Sequence, residues 1–310
     1  MKIGRFEEGG APRIGVVGAL GDRTVVLDAA RAVDAAGGGR PIPGRINELI
    51  ARGRPALDEL RSAWDRAIAS GEEGWFRPVT DVHWLVPTEP RTVVCAGRNF
   101  GRHRDESLAF WTKKGVGIHF EFPTGFLKLP HLLAAHGETV AKPSWVEEFD
   151  YEVEVAAIIG SEVADIGEGE ALGHVFGYTV LNDLSARDWQ RKEMQNQMIV
   201  VGKNFPGCAP IGPWILTADE VPDPSALVVD LKVNGATLQH ERCSDMIFDF
   251  AKLIAFWSRL GYAPGDVVAS GTPEGVAMHR KPDPFAYYLK PGDVVEATVE
   301  QIGTLETKIA

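Results

Sequence analysis

From Thr92 onward the chain is a succession of short apolar runs separated by glycine, proline and charged residues: TVVCAG, VEVAAIIG, VFGYTVLND, MIVVGKNF, LVVDLKVNG, DVVASG and DVVEATVE. Short runs rich in Val and Ile, closed by turn formers, predict strands. The first 80 residues read differently, as a β-rich opening (Ile14–Val17, Thr24–Leu27) followed by helical spacing of apolar residues over Pro55–Ser70. The same periodicity predicts helices over Phe100–Lys113 and Met246–Leu260. Residues 71–91, dense in glycine, proline and charge, read as a linker. Pro-Gly-Asp stands before a strand twice, at Pro264–Asp266 and Pro291–Asp293, the pattern of a type II turn with Pro and Gly in its central positions. The expectation is an α+β protein: a small N-terminal α/β accessory domain over 1–80, and a body over 81–310 built on a mixed sheet rolled on itself.

One strand breaks the usual alternation. In DYEVEVAAIIG, Asp150 to Gly160, residues two apart share a face, so Asp150, Glu152 and Glu154 line up. Beyond Glu154 both faces are apolar. Carboxylates at the mouth of a strand buried on both sides raise one another's pKa unless something neutralises them, and a cation is the simplest remedy. An exposed strand end with ordinary acidic decoration is the competing reading. A third acid, Asp183, closes the run VFGYTVLND at a strand's C-terminal end, where functional groups often project. Three carboxylates without Cys or paired His form a hard oxygen set suited to Mg²⁺ or Mn²⁺, with Ca²⁺ able to take their place in crystals.

Composition narrows the rest. Of 310 residues, 45% are hydrophobic and 24% charged, as in ordinary globular chains, and the length accommodates a main body with an accessory segment. The formal net charge of −11 argues against nucleic acid and anionic membranes as partners. It also requires an acid-binding pocket to bring its own cations, for which Arg98, Arg102, Lys128, Arg187 and Lys203 are available. Cys95, Cys208 and Cys243 are too few and too scattered for a disulfide scaffold. With no basic-then-apolar start and no membrane-length apolar run, a cytoplasmic location is expected.

The ordered series AGRNFGRHRDE, FLKLP, DYEVEVAAIIG, NDLSARDWQ, VGKNFPGCAPIGPW, VNGATLQ, SDMIFDFAKLIAFWS, PGDVVASGTPEGV and LKPGDVVEATVEQIGTLET resembles the fumarylacetoacetate hydrolase family over about residues 92–307. The resemblance implies that family's mixed β-roll, a homodimer, and Mg²⁺ or Mn²⁺ held by Glu152, Glu154 and Asp183, the three that strand geometry selects. It further implies that His103 and Glu106 activate water, with Lys203 as the active-site lysine. An i, i+3 pair does share a helix face, where a carboxylate holds imidazole as a base. Gln190 and Thr272 match substrate-contacting positions, and Arg98 and Lys128 are further substrate-side candidates.

The implied reaction is hydrolysis of a carbon–carbon bond in a 2,4-dioxo acid such as an acylpyruvate or fumarylpyruvate, in catabolism of aromatic compounds. Water attacks the distal carbonyl and the enolate left behind is held by the cation and Lys203. The nearest rival uses the same centre to decarboxylate or isomerise a β-keto or 2-oxo diacid, such as oxaloacetate or 2-hydroxyhepta-2,4-dienedioate. A catalytically silent binding or scaffold protein is the rival from another class. The long stretch from His103 to Lys128, with Trp111, Phe120 and Phe122, and the AMHRKPDPFAYYL segment, with Tyr287 and Tyr288, read as an enlarged aromatic-walled pocket, or as packing or a dimer contact.

Overall fold

A computed structural model describes residues 1–35, 40–102 and 121–310. Its larger sheet counts twelve strands among the described residues. Across the sheet the order is Phe76–Pro78, Arg23–Asp28, Ala11–Leu20, Lys2–Glu8, Ala209–Thr217, Val175–Asn182, Val153–Ile159, Val267–Ala269, Val93–Ala96 and Gly125–Lys128. His83–Leu85 pairs with Lys2–Glu8, and Leu133–Ala134 with Ala209–Thr217. A second sheet (Ala236–Arg242, Val228–Val233, Val294–Val299, Gly303–Ile309, Thr139–Val140) packs on the central strands of the first. The pairing is mixed: Val267–Ala269 runs parallel to Val93–Ala96 and antiparallel to Val153–Ile159.

The strand apolar on both faces, Val153–Ile159, is wholly buried. It lies between Val175–Asn182 and Val267–Ala269, and the second sheet supplies cover that a half-buried strand would lack. Both Pro-Gly-Asp segments turn as their chemistry requires. Gly265 and Gly292 have φ of 94° and 96°, and Asp266 and Asp293 donate their N–H groups to the carbonyls of Ala263 and Lys290 at 3.0 and 3.1 Å.

The N-terminal segment forms an antiparallel meander joined to the main sheet through Lys2↔Leu216 and Ile3↔Ile215. Against it lies the helix Arg54–Ser70, which buries Ala56, Leu57, Leu60, Ala63 and Ala67 and ends at Gly71 in the left-handed region. Residues 71–91 are not a free linker. Phe76–Pro78 extends the meander beside Arg23–Asp28, and His83–Leu85 carries the buried Trp84 edge-on to Phe6 and Trp214. A Cβ on Gly4 would sit 2.5 Å from the Trp84 ring, so only glycine admits it. Glycine and charge content marked this stretch as a linker; a single indole with two aromatic partners makes it structural.

Two other predicted elements differ. Met246–Leu260 is shortened to a helix over Phe250–Trp257, N-capped by Asp249, whose carboxylate accepts the Lys252 N–H at 2.9 Å. MIVVGKNF is no strand. Val201–Lys203 is a 3-10 turn, with Met198, Val200 and Val201 exposed, because Gly202 packs against the backbone of Gln190 and leaves no strand neighbour. The helix expected over Phe100–Lys113 falls mostly outside the described residues, as do Trp111 and Phe120.

Candidate metal centre and its pocket

The centre forms where two neighbouring strands end together. Val153 pairs with Asn182, and one residue further out the backbones cross-link. The Glu152 N–H donates to Asn182 Oδ1 at 2.9 Å, and the Asp183 N–H donates to the Glu152 carbonyl at 2.8 Å. This brings Glu152, Glu154 and Asp183 together, each buried, with one carboxylate oxygen apiece all within 4.8 Å of one another. Asp150 leaves the row that simple alternation predicts. The chain is not a continuous strand there: Phe149–Asp150 pairs separately with Ser185–Ala186, and Tyr151 and Glu152 belong to neither strand.

Three buried cations offset this charge. Lys203 Nζ donates to Glu152 Oε2 at 2.7 Å, Asp183 Oδ2 at 2.6 Å and Ser185 Oγ at 2.7 Å. Lys128 Nζ lies 2.5 Å from Asp183 Oδ1 and donates to the carbonyls of Cys208 and Leu184. Arg187 pairs with both Glu152 and Asp150. Lys128 and Arg187, available on sequence grounds to meet an anionic substrate, instead face the protein's own acids. Lys128 is fully buried behind Asp183 and off the pocket wall.

Glu154 receives least of this compensation. Its Oε2 accepts the Gly271 N–H at 3.0 Å, while its buried Oε1 has no hydrogen-bond partner among the described residues. Gly271 makes its approach with φ of 79°, and a Cβ there would come within 3.0 Å of the Ala96 carbonyl. Burial, then the charges of Asp183 and Glu152, push the Glu154 carboxyl well above the usual carboxylate range. Burial also raises Asp183, against the opposing pull of Lys128 and Lys203. An all-oxygen donor set with one orphaned buried oxygen fits a hard divalent cation, whose charge would both satisfy that atom and favour ionisation.

Beside the carboxylates opens a cavity of about 180 Å³, its wall including Arg98, Phe126, Glu152, Gln190, Lys203 and Thr272. The expected site residues Arg98, Gln190, Thr272 and Lys203 therefore share one space with a carboxylate of the centre. Gln190 accepts from Arg187 at 2.9 Å, and Thr272 Oγ1 accepts from Gln239 Nε2 at 2.9 Å while donating to the Val153 carbonyl. Arg98, with φ of 55°, is a non-glycine residue in the left-handed region. It is half-buried, which lowers its pKa, and it pairs with no carboxylate among the described residues. His103 and Glu106 lie outside the described residues.

Sequence reasoning passed over Ser185, Gln239, Met278 and His279, the last two on the cavity wall. Ser185 sits inside the NDLSARD motif and was within reach of a closer reading; the others depend on tertiary packing. Tyr288 is buried with its hydroxyl donating to Glu148 at 2.7 Å, and Tyr287 lies beneath Arg280. Neither reaches the cavity wall, so this pair does not widen the pocket. Phe122 is exposed and stacked on Phe256. Cys95, Cys208 and Cys243 are buried and free. No helix among the described residues is long and apolar enough to cross a membrane.

A family model described as fumarylacetoacetate (FAA) hydrolase C-terminal matches residues 92–310. The chain is 32% identical over 313 residues to oxaloacetate tautomerase fahd2, mitochondrial, of Xenopus laevis, spanning 100% of this chain and 90% of that protein. Among solved structures it resembles fumarylacetoacetate hydrolase (EaFAH) from psychrophilic Exiguobacterium antarcticum at 31% identity and a TM-score of 0.77, covering 100% and 99% of the two chains. It is also similar to maleylpyruvate hydrolase from Sphingobium sp. SYK-6 in complex with manganese (II) ion and pyruvate, at 26% identity, a TM-score of 0.73 and the same coverage.

Proposed function

The chain belongs to the fumarylacetoacetate hydrolase family, and from that premise we propose that it is a Mg²⁺- or Mn²⁺-dependent enzyme interconverting the enol and keto forms of a short 2-oxo diacid of the oxaloacetate class. One observation carries the reading: a single cavity joins an all-oxygen cation site to Arg98, a guanidinium without an acidic partner among the described residues. Such a pocket suits a ligand with an oxo acid at one end and a second carboxylate at the other. The activity printed for the Xenopus laevis relative points the same way.

Glu152, Glu154 and Asp183 would hold the cation, which supplies Lewis acidity toward the 2-oxo acid when bound. Lys203, buried on the same wall, offers positive charge to an oxygen that becomes anionic as a C3 proton leaves. Gln190 and Thr272, each already oriented by a hydrogen bond, position the substrate. The conversion breaks one C3–H bond and makes one O–H bond, or the reverse, and needs no co-reactant.

Hydrolysis of a 2,4-dioxo acid is the second reading. It is favoured by the His103 and Glu106 pair in the sequence and by likeness to two solved hydrolases. The test follows enol oxaloacetate by its ultraviolet absorbance with Mn²⁺, alongside acylpyruvates and fumarylpyruvate analysed by mass. Faster enol decay that chelation abolishes, with no second acid released, supports tautomerisation. Release of a second acid that His103→Ala stops would favour hydrolysis, and indifference to every substrate would reject both.

A further inference from the structure

Four hydrogen bonds converge on Asp150, which is wholly buried. Its Oδ1 accepts the N–H groups of Tyr151 at 2.9 Å and Ala277 at 2.8 Å. Its Oδ2 accepts the Met278 N–H at 3.2 Å and Arg187 Nε at 2.7 Å. Arg187 carries the connection onward, pairing through one amino group with Glu152 Oε1 and donating through the other to Gln190 Oε1. One carboxylate thus ties the turn Ala277–His279, which puts Met278 and His279 on the cavity wall, to a cation ligand and to Gln190.

We propose that Asp150 is a positioning residue that couples the rim turn Ala277–His279 to cation binding, acting on Glu152 through Arg187. The inference rests on the cation reading above. Lys128, Lys203 and Arg187 face Asp150, Glu152 and Asp183, and Glu154 pairs with no cation among the described residues. Without the Asp150 charge the negative potential at the centre falls, so it attracts a cation less. The buried Arg187 guanidinium, deprived of one acid, turns its full charge on Glu152 and competes with the ion for it. With an amide at this position, one of the two oxygens that accept from the rim turn becomes a donor, so the turn loses an acceptor in the same step. In the other direction, an ion that draws on Glu152 leaves Arg187 to bind Asp150 more tightly, firming the anchor of the turn.

Asp150→Asn keeps the shape and removes the charge. Mn²⁺ titration by calorimetry should show its Kd raised by about ten- to a hundredfold, the range for partners that orient a metal ligand. In the unaltered chain, Mn²⁺ should slow hydrogen exchange at the Ala277 and Met278 amides severalfold. Parental affinity in a folded Asp150→Asn protein overturns the proposal, and so does exchange at 277–278 that ignores Mn²⁺. The exchange measurement decides alone if the variant does not fold. A parent chain that fails to bind Mn²⁺ removes the cation reading itself, whereas tight parental binding with an indifferent variant removes only the role of Asp150.

Discussion

Replacing Glu154 with Gln should make the cation-free protein more stable and the cation-loaded protein less so. The three carboxylates approach within 4.8 Å, and at an effective dielectric near 20 two unit charges about that far apart repel by roughly 3.5 kcal/mol. Lys203, at 2.7 and 2.6 Å from Glu152 and Asp183, offsets much of this. A net gain of about 1–2 kcal/mol is therefore expected for cation-free Glu154→Gln at neutral pH. The amide still offers an oxygen to the Gly271 N–H. Because burial and the neighbouring acids raise its pKa, Glu154 contributes stability that is fully present below the ordinary glutamate range and is lost as pH rises through its raised value. The advantage of the variant should accordingly grow from mildly acidic to neutral pH. With Mn²⁺ at a hundred times its Kd the parent gains about 2.7 kcal/mol. A variant binding a hundredfold more weakly gains only about 0.4 kcal/mol under the same conditions. Thermal melts with and without Mn²⁺ read both effects, at roughly 2–4 °C per kcal/mol. A variant that melts below the parent without Mn²⁺, and rises as far with it, would refute the account of the orphaned carboxylate.

The same carboxyl must give up its proton to an incoming ion, so Mn²⁺ affinity should rise with pH across the mildly acidic range, and calorimetry in buffers of differing ionisation enthalpy should register proton release. An affinity flat with pH and no proton release would contradict this. Trp84→Ala removes the indole that holds residues 71–91 against Phe6 and Trp214. It should cost about 3–5 kcal/mol of stability while leaving Mn²⁺ affinity within about twofold, since the sites share no partners; denaturation and titration of the variant check the two halves separately.

What could be read along the chain was whatever depends on neighbours in sequence. The Pro-Gly-Asp turns, the helix Arg54–Ser70 and the doubly apolar strand Val153–Ile159 follow from local chemistry and periodicity. Glu152, Glu154 and Asp183 were legible because two-residue spacing and an acid at the end of an apolar run each point to a strand mouth. Alternation failed at Asp150 because the Glu152 N–H donates to the side-chain oxygen of Asn182, thirty residues on, which interrupts the strand. MIVV looks like a strand by composition, yet Gly202 against Gln190 makes it an exposed bend. The destination of Lys128 was equally hidden: the sequence offers it to a substrate or to a structural ion pair alike, and only the fold sets it behind Asp183.

Glu152 and Asp183 are fastened where the two innermost strands stop, by a main-chain hydrogen bond between them and by the Asn182 side chain that accepts the Glu152 N–H. Drift in the surrounding turns would reshape what enters without disturbing the anchor, so descendants of such a scaffold can exchange one ligand for another by remodelling only the doorway.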